Sequence, residues 1–298
     1  MIQPEIYTRP TTILEMQARM ESFATEDGWQ KGLNYKPDPT DVFIVTPPKC
    51  GTTWMQQIVH GLRTRGSMDF DEICRVIPWI NMAHDCGIDI YAPQVAQPRA
   101  FKTHSTLDEA PKGGKYIVVL RNPHDALISH YYFFEGFFFE KGSIDIETFA
   151  REFYIPRRAV FNHITALWDR RKDGNVLPLC YENMKTDLPQ TIERIAEFIG
   201  VPLDDDLREI VLRQSDIKFM QAHENQFEDH VIRKARSAAM KLPLDGQLSK
   251  VRDGQAGSAK LLLPEHIKQE LDEIWQNELT PKIGLRSYDD LRRELAIH

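Results

Sequence analysis

Residues 42–54 read Val-Phe-Ile-Val-Thr-Pro-Pro-Lys-Cys-Gly-Thr-Thr-Trp, and this stretch decides the fold. Its first four residues form a continuous apolar run rich in β-branched side chains, which is typical of a short buried strand. Apolar residues then recur at the i, i+3, i+4, i+7 spacing of a buried helix face, at Met55, Ile58, Val59 and Leu62. The stretch therefore predicts a strand, a tight loop and a helix.

The loop between this strand and helix carries groups that bind an anion. Gly51 lets the backbone approach a ligand closely, and the first N–H groups of the helix have no partner within it. Lys49 adds a cation, and Thr52 and Thr53 add hydroxyl groups. An ordinary turn with a surface lysine is the alternative, but the combination favours a phosphate or sulfate site. Because Lys49 precedes Gly51, the loop differs from the G-x-x-x-x-G-K-[ST] loop of kinases and ATPases.

The loop sequence PPKCGTTW resembles the 5′-phosphosulfate loop of the cytosolic sulfotransferases, which use 3′-phosphoadenosine 5′-phosphosulfate (PAPS) as donor. The family usually has serine where this chain has Cys50. The resemblance implies that the donor, and its product adenosine 3′,5′-bisphosphate, bind without a metal. It also implies which loop residues bind the donor, with Trp54 stacking on adenine: Lys49, Cys50, Gly51, Thr52, Thr53 and Trp54.

The composition of the 298 residues is that of an ordinary globular protein, with 42% hydrophobic and 27% charged residues. The net charge of −7 argues against a nucleic-acid partner. The four cysteines form no C-x-x-C pair, which argues against a metal site. We see no signal-peptide pattern, and no apolar run approaches the roughly 20 residues that span a membrane. These features predict a cytoplasmic protein with no membrane span.

Alternating strands and helices predict one α/β domain over 1–298, with a central parallel sheet flanked by helices. Beyond the opening unit, strands are predicted at 99–103, 116–120 and 175–181. Helices are predicted at 11–23, from Pro123 to about Phe134, at 145–172, 187–199 and 206–223, and from Pro264. Loops are predicted at 28–39 and at 224–263, the second as a mobile segment over the donor.

Candidate functional residues lie at the ends of these strands. Ligands of parallel α/β sheets bind outside the carboxyl ends of the strands, where Lys49, Lys102, His104, Arg121 and Tyr181 are predicted to meet. A histidine near neutral pKa can take a proton from an acceptor hydroxyl, although a lone histidine after a strand is more often structural. Lys102-Thr103-His104 also resembles the family's KTH element. That resemblance makes His104 the general base and gives Lys102, with Lys49, a charge-stabilising role in catalysis.

Further segments resemble donor-binding elements of the family. The run LRNPHDALIS resembles the 3′-phosphate element and assigns that phosphate to Arg121 and Ser129. Cys180-Tyr181-Glu182 resembles a strand end whose tyrosine contacts the nucleotide. Ser215 and Ile217 match two positions that touch adenine, the second usually phenylalanine. For Arg121 the alternative is a surface arginine that caps the sheet, and for Tyr181 it is a buried core tyrosine.

Arg252-Asp253-Gly254 resembles the family's R-K-G loop over the 3′-phosphate, although Asp253 replaces its lysine. Residues 233–235 are a rival placement for this loop, less favoured because the glycine spacing and following helix fit better at 252. The resemblance covers about residues 40–290. The family's short dimer motif is not recognisable, so the sequence leaves monomer and homodimer open.

Five phenylalanines within residues 133–139 form a candidate wall for a hydrophobic acceptor. We expect Phe137 and Phe138 to contact the acceptor if the chain folds back after Gly136; packing of a helix end into the core is the alternative. The sequence thus predicts a PAPS-dependent sulfotransferase acting on a hydroxyl or amine of a small molecule. A P-loop kinase of a small molecule and a non-catalytic module that binds adenosine 3′,5′-bisphosphate are the alternatives.

Overall fold

The computed structural model describes residues 7–244, 257 and 259–296, and it places a parallel sheet at the centre of the chain. Within those residues the sheet has four strands in the order β2-β1-β3-β4. The strands are β1 Val42–Val45, β2 Ala100–Thr103, β3 Lys115–Leu120 and β4 Val176–Cys180. The predicted fold class, an α/β protein with a central parallel sheet, is confirmed.

Both faces of the sheet are buried, as the apolar runs of its strands predict. In β1, Phe43 and Val45 belong to one core cluster, while Val42 and Ile44 belong to another on the opposite face. β3 alternates in the same way. Because the chain leaves β1 first toward β2 and later crosses to β3, the switch in strand order lies between β1 and β3. A crevice at such a point is where open α/β sheets bind ligands.

Helices cover the sheet on both sides. Those before β4 are α1 Ile13–Met20, α2 Glu26–Leu33, α3 Thr52–Thr64, α4 Ile73–Val76, α5 Pro123–Phe137, α6 Ile146–Phe149, α7 Ile155–Arg157 and α8 Ala159–Trp168. Those after β4 are α9 Tyr181–Thr186, α10 Leu188–Ile199, α11 Asp205–Gln214, α12 Ile217–Ala222, α13 Glu224–Phe227, α14 His230–Arg236, α15 Ala259–Leu262, α16 Glu265–Ile274, α17 Thr280–Ile283 and α18 Tyr288–Ala296. Two π-helical turns, Ala150–Tyr154 and Trp275–Leu279, join neighbouring helices.

Several helix boundaries follow from residues visible in the sequence. The side chain of Asn122 caps α5 by accepting from the N–H of His124, and Pro123 begins the helix. Gly200, in the left-handed conformation, ends α10. A further bond holds the start of α5 in place: the backbone N–H of Asn122 donates to Glu182 Oε1 at 3.0 Å. The other oxygen of Glu182 accepts from Tyr288 of α18 at 2.6 Å.

Two predicted loops are wrong in part. Residues 26–33 form α2, although two glycines lower its helix propensity. The helix forms because Thr25 caps it and because Gly32 packs so closely on Ile80 that an added Cβ would lie 2.5 Å from its carbonyl oxygen. Residues 224–227 and 230–236 are also helical, and buried apolar side chains such as Val231 and Ile232 stabilise them. No helix in the described part of the chain is long and apolar enough to cross a membrane.

Candidate active site

A cavity of about 520 Å³ opens at the carboxyl edge of the sheet, at the switch between β1 and β3. It collects residues from Met20 to Ile232, more than two thirds of the chain. Of the predicted site residues, those lining it are Lys49, Gly51, Thr52, Thr53, Trp54, Lys102, His104, Arg121, Ser129, Phe137, Phe138, Tyr181, Ser215 and Ile217. The residues that were predicted to meet at the strand ends therefore do line one cavity.

The loop after β1 has the backbone geometry of an anion cradle. Lys49 and Gly51 both adopt positive φ angles, 67° and 96°. Gly51 is the N-cap of α3 and makes no side-chain cap, and the first residues of α3, Thr52 and Thr53, line the cavity. A Cβ on residue 51 would lie 2.9 Å from the ring of Tyr181. Glycine is therefore required here both by the backbone angle and by the space.

Cys50 differs from its neighbours in the loop. Its side chain is fully buried in the core cluster and does not line the cavity, and its thiol lies 3.7 Å from the carbonyl oxygen of Pro48. Burial raises the pKa of this thiol to about 12. The thiol is thus protonated near pH 7, and Cys50 can contribute to the loop only through its backbone.

Arg121 connects the two strands that flank the crevice. One guanidinium N–H donates from Nη1 to the carbonyl oxygen of Lys49 at 3.0 Å. The guanidinium carbon also lies 4.5 Å from the centre of the Tyr181 ring, in a cation–π contact. Ser129, two turns along α5, lines the same cavity. This arrangement places a buried arginine and a hydroxyl beside the anion loop.

Trp54, Ser215 and Ile217 form one wall of the cavity. The indole N–H of Trp54 donates to the carbonyl oxygen of Ser215 at 2.9 Å, and its ring meets Tyr181 edge to face with 5.4 Å between centres. The hydroxyl of Ser215 is buried and has no hydrogen-bond partner among the described residues. A buried hydroxyl facing a cavity without a partner is suited to a polar ligand atom.

The backbone just after β1 orients the ring of His104. Its Nδ1 lies 2.8 Å from the carbonyl oxygen of Thr46. Because a carbonyl oxygen only accepts, Nδ1 must carry the hydrogen, and Nε2 is the nitrogen that can take up a proton in the neutral ring. The ring packs edge to face on Trp79 with 4.8 Å between centres. His104 therefore has both the tautomer and the fixed orientation that a general base needs.

Lys102 is almost fully buried and is surrounded by acidic groups. Its Nζ lies 3.9 Å from Asp229 Oδ1 and 5.0 Å from the centre of the Trp79 ring. Burial alone lowers its pKa, but Cys74, Asp229 and Glu72 reverse this effect and raise the pKa above its usual value. The side chain is therefore an ammonium ion at neutral pH.

Glu72, Cys74 and Asp229 are all buried, and their potential ligand atoms lie within 4.8 Å of one another. The cysteine spacing in the sequence gives no sign of this cluster, because its three residues come from two distant segments.

The other end of the cavity is aromatic. Its apolar lining comes from several elements, namely Met20, Phe23, Trp79, Phe133, Phe134, Phe137, Phe138, Phe153, Tyr154 and Ile232. The helix α5 continues through Gly136 and ends at Phe137, so the chain leaves the helix just after Gly136 and not at it. Phe138 stacks on Phe134 at 4.4 Å between centres and still reaches the cavity.

His130 lies beside these rings and also lines the cavity. Burial lowers the pKa of His130 to about 3, so this imidazole is neutral near pH 7.

Several lining residues escape sequence reasoning. Trp79 reaches the site because residues 78–80 run beside β2, with the N–H of Lys102 donating to the carbonyl oxygen of Pro78 at 2.9 Å. Asp229 reaches it from the turn before α14. In the sequence, Pro78 interrupts any helix or strand pattern just before Trp79. That interruption is a weak signal that this segment is irregular, and it does not indicate that Trp79 lines a site.

The predicted 3′-phosphate loop, Arg252, Asp253 and Gly254, lies outside the described residues. Nearby along the chain, the N–H of Gly257 donates to Asp125 Oδ2 in the first turn of α5 at 2.6 Å. In the rival segment, Arg233 belongs to α14, and its guanidinium lies 5.7 Å from the centre of the Phe137 ring.

A cationic loop at a helix N-terminus, a buried arginine and an oriented histidine are typical of one class of protein, the enzymes that transfer an anionic group. Residues 39–284 match the family described as the sulfotransferase domain, and the chain belongs to this family. Its predicted enzyme class, sulfotransferase, is thereby confirmed.

Related proteins share this assignment. The chain is 26% identical to sulfotransferase 1C2 of Rattus norvegicus over 93% of this chain and 96% of that protein. It is 27% identical to human sulfotransferase 2A1, over 86% of each. Among solved structures, retinol dehydratase in complex with androsterone and inactive cofactor PAP has a TM-score of 0.68 at 20% identity, covering 95% and 98% of the two chains. Mouse sulfotransferase SULT7A1, complexed with PAP, has a TM-score of 0.64 at 18% identity, covering 93% and 95%. These two structures support the fold.

Proposed function

We propose that this protein transfers the sulfuryl group of PAPS to a hydroxyl or amine of a small, hydrophobic acceptor. One observation carries the proposal: a single cavity is lined by a cationic loop at a helix N-terminus, by an aromatic wall, and by His104 and Lys102, which both contact Trp79 of that wall. A kinase site would need groups to hold a nucleotide with Mg²⁺. Here β3 is followed directly by Arg121, a residue suited to a second phosphate on the nucleotide.

The residues of the donor half fit the chemistry of PAPS. The uncapped N-terminus of α3, with Lys49 and the hydroxyl groups of Thr52 and Thr53, offers donors to a 5′-phosphosulfate. Arg121 and Ser129 offer a cation and a hydroxyl to the 3′-phosphate. Trp54 and Ile217 offer an apolar surface to adenine, and the unpartnered hydroxyl of Ser215 offers a polar contact. When bound, PAPS supplies an activated sulfuryl group that an oxygen or nitrogen can attack.

The catalytic roles follow from where the side chains are held. His104, protonated on Nδ1 by its contact with Thr46, takes the acceptor's proton on Nε2. Lys49 and the N–H groups of α3 stabilise the charge that grows on the departing phosphate oxygen. Lys102 carries its positive charge beside His104 and stabilises negative charge at the transferred group. These roles treat the reaction as an in-line transfer, by analogy with phosphoryl transfer.

The test is a transfer assay with sulfur-labelled PAPS and a panel of alcohols, phenols, amines, steroids and glycolipids. We expect labelled product from at least one hydrophobic acceptor, without added metal. A thermal shift accompanies it, in which adenosine 3′,5′-bisphosphate raises the melting temperature more than ATP with Mg²⁺ does. Binding without transfer to any acceptor would indicate a nucleotide-binding module, and phosphoryl transfer from ATP would indicate a kinase.

A further inference from the structure

Lys102 has an unusual environment for a residue next to the proposed reaction centre. A buried ammonium is costly unless acidic groups compensate it. Asp229 supplies one carboxylate at 3.9 Å from Nζ, and its side chain is only 12% exposed. Glu72 and Cys74 supply a second carboxylate and a thiol within the same buried cluster. The cluster therefore surrounds a lysine that the fold holds in one place.

The acidic cluster is fixed by bonds that do not involve Lys102. Glu72 Oε2 accepts the backbone N–H of Val231 at 2.6 Å and lies 3.3 Å from Nδ1 of His230. These contacts tie the start of α14 to the segment before α4. Because Asp229 immediately precedes α14, they also set the position of its carboxylate. The carboxylate thus stays beside Lys102 while also lining the cavity.

We propose that Asp229 is a positioning residue for sulfuryl transfer: with Glu72 behind it, its carboxylate holds the Lys102 ammonium beside His104. In this proposal, the positive charge that compensates Glu72, Cys74 and Asp229 is the ammonium group of Lys102, in the place where a metal ion could otherwise bind. This inference rests on the proposed sulfuryl transfer. It adds a residue that neither the strand ends nor the sequence motifs indicate.

The charge on Lys102 makes the role measurable by pH. The titratable groups that act on its charge are Cys74, Asp229 and Glu72. Beyond them, His230 faces Glu72 at 3.3 Å, and His104 packs on the same Trp79 ring as Lys102. Asp229→Asn removes one group that raises the Lys102 pKa, while burial continues to lower it. The alkaline limb of the kcat profile should therefore move to lower pH.

The experiment compares Asp229→Asn, Asp229→Glu and Asp69→Asn in the transfer assay. We expect Asp229→Asn to lower kcat about tenfold, less than the roughly 10²- to 10³-fold that losing a charge-stabilising donor itself costs. Affinity for adenosine 3′,5′-bisphosphate should stay unchanged, and Asp229→Glu should restore much of the activity. Asp69, an exposed carboxylate in the segment before α4, is the matched control and should leave kcat unchanged.

A double-mutant cycle keeps the test valid if Asp229→Asn folds poorly. Combined with Lys102→Met, the Asp229→Asn change should cause no further loss of kcat and should recover stability, because both charges are then removed. The proposal is wrong if Asp229→Asn keeps the wild-type kcat and pH profile, or if the two effects multiply. It is also wrong if Zn²⁺ stabilises the unaltered protein and Asp229→Asn abolishes that effect. If the unaltered protein transfers no sulfuryl group, the proposed function fails instead, and the stability cycle still tests the pairing.

Discussion

The two halves of the cavity are built in different ways. The proposed donor half rests mainly on one strand, one loop and one helix that are continuous in sequence, and it adds single residues from other segments: Arg121, Ser129, Tyr181, Ser215 and Ile217. The acceptor half gathers side chains from α1, from the segment beside β2, from α5, from the π-helical turn before α7 and from α14. The donor half acts mainly through backbone N–H groups, to which a few cationic side chains are added. The acceptor half is a packed aromatic wall that exists only once distant segments meet.

Lys49 joins the two halves. Its backbone belongs to the anion loop, where its carbonyl oxygen accepts from Arg121, whereas its Nζ lies 4.2 Å from the centre of the Phe133 ring. Away from Lys49, the two halves share few residues. We therefore expect a change in the donor half to affect turnover or donor binding, and a change in the acceptor half to affect acceptor affinity. Variants that separate these readouts test whether the division is real.

His104→Ala has the largest expected effect, because it removes the proposed base where the halves meet. We expect kcat to fall roughly 10²-fold or more, since general base catalysis contributes about that much. Donor affinity should be unchanged, as measured by the thermal shift with adenosine 3′,5′-bisphosphate. Near-normal turnover would remove His104 from the mechanism.

Arg121→Ala should affect the donor half alone. Losing charge-assisted hydrogen bonds to a phosphate costs about 1.5–3 kcal/mol, or roughly 10- to 100-fold in affinity. We expect that loss for adenosine 3′,5′-bisphosphate and a much smaller loss for adenosine 5′-phosphate, both measured by titration calorimetry. An equal loss for both nucleotides would mean that Arg121 supports the loop through Lys49 and does not read the 3′-phosphate.

The same division explains how much could be predicted from the sequence. The anion loop was predictable because Lys49, Gly51 and the residues around them act through local backbone geometry. The KTH element was predictable because a strand end fixes where its side chains go. Trp79 and Asp229 were not, since their positions depend on long-range pairing with β2 and on the docking of α14 through Glu72.

The errors in secondary structure have the same origin. Residues 224–236 carry too many charged side chains for their helices to show a clear apolar period, so α14 is stabilised by contacts that the sequence does not display. α2 contains Gly28 and Gly32, and its close packing on Ile80 outweighs the unfavourable propensity.

Gly51→Ala should show that the donor half depends on backbone geometry. Alanine at a φ of 96° costs about 1–2 kcal/mol, and its Cβ would also press on the Tyr181 ring. We expect a melting temperature lower by several degrees and weaker binding of adenosine 3′,5′-bisphosphate. Gly142→Ala is the control, because its φ of 75° is also positive but the space around it is open. If the two variants lost the same stability and both bound the nucleotide normally, the contact with Tyr181 would have no role.

Phe138→Leu should give the smallest effect and confine it to the acceptor half. Phe137 and Phe138 are 3% and 4% exposed and line the cavity, so they serve both the core and the wall. Leucine keeps most of the buried area but removes the ring face that the proposed acceptor would contact, and such aromatic contacts contribute about 0.5–1.5 kcal/mol. The acceptor KM should therefore rise about 2- to 10-fold while donor affinity stays constant.

Phe139→Leu is the matched control, because Phe139 is fully buried but does not line the cavity. It should lower the melting temperature without changing the acceptor KM. If both variants lose only stability, the phenylalanines belong to the core alone. The acceptor would then contact the other side of the cavity, around Trp79 and Ile232, which is reached without α5.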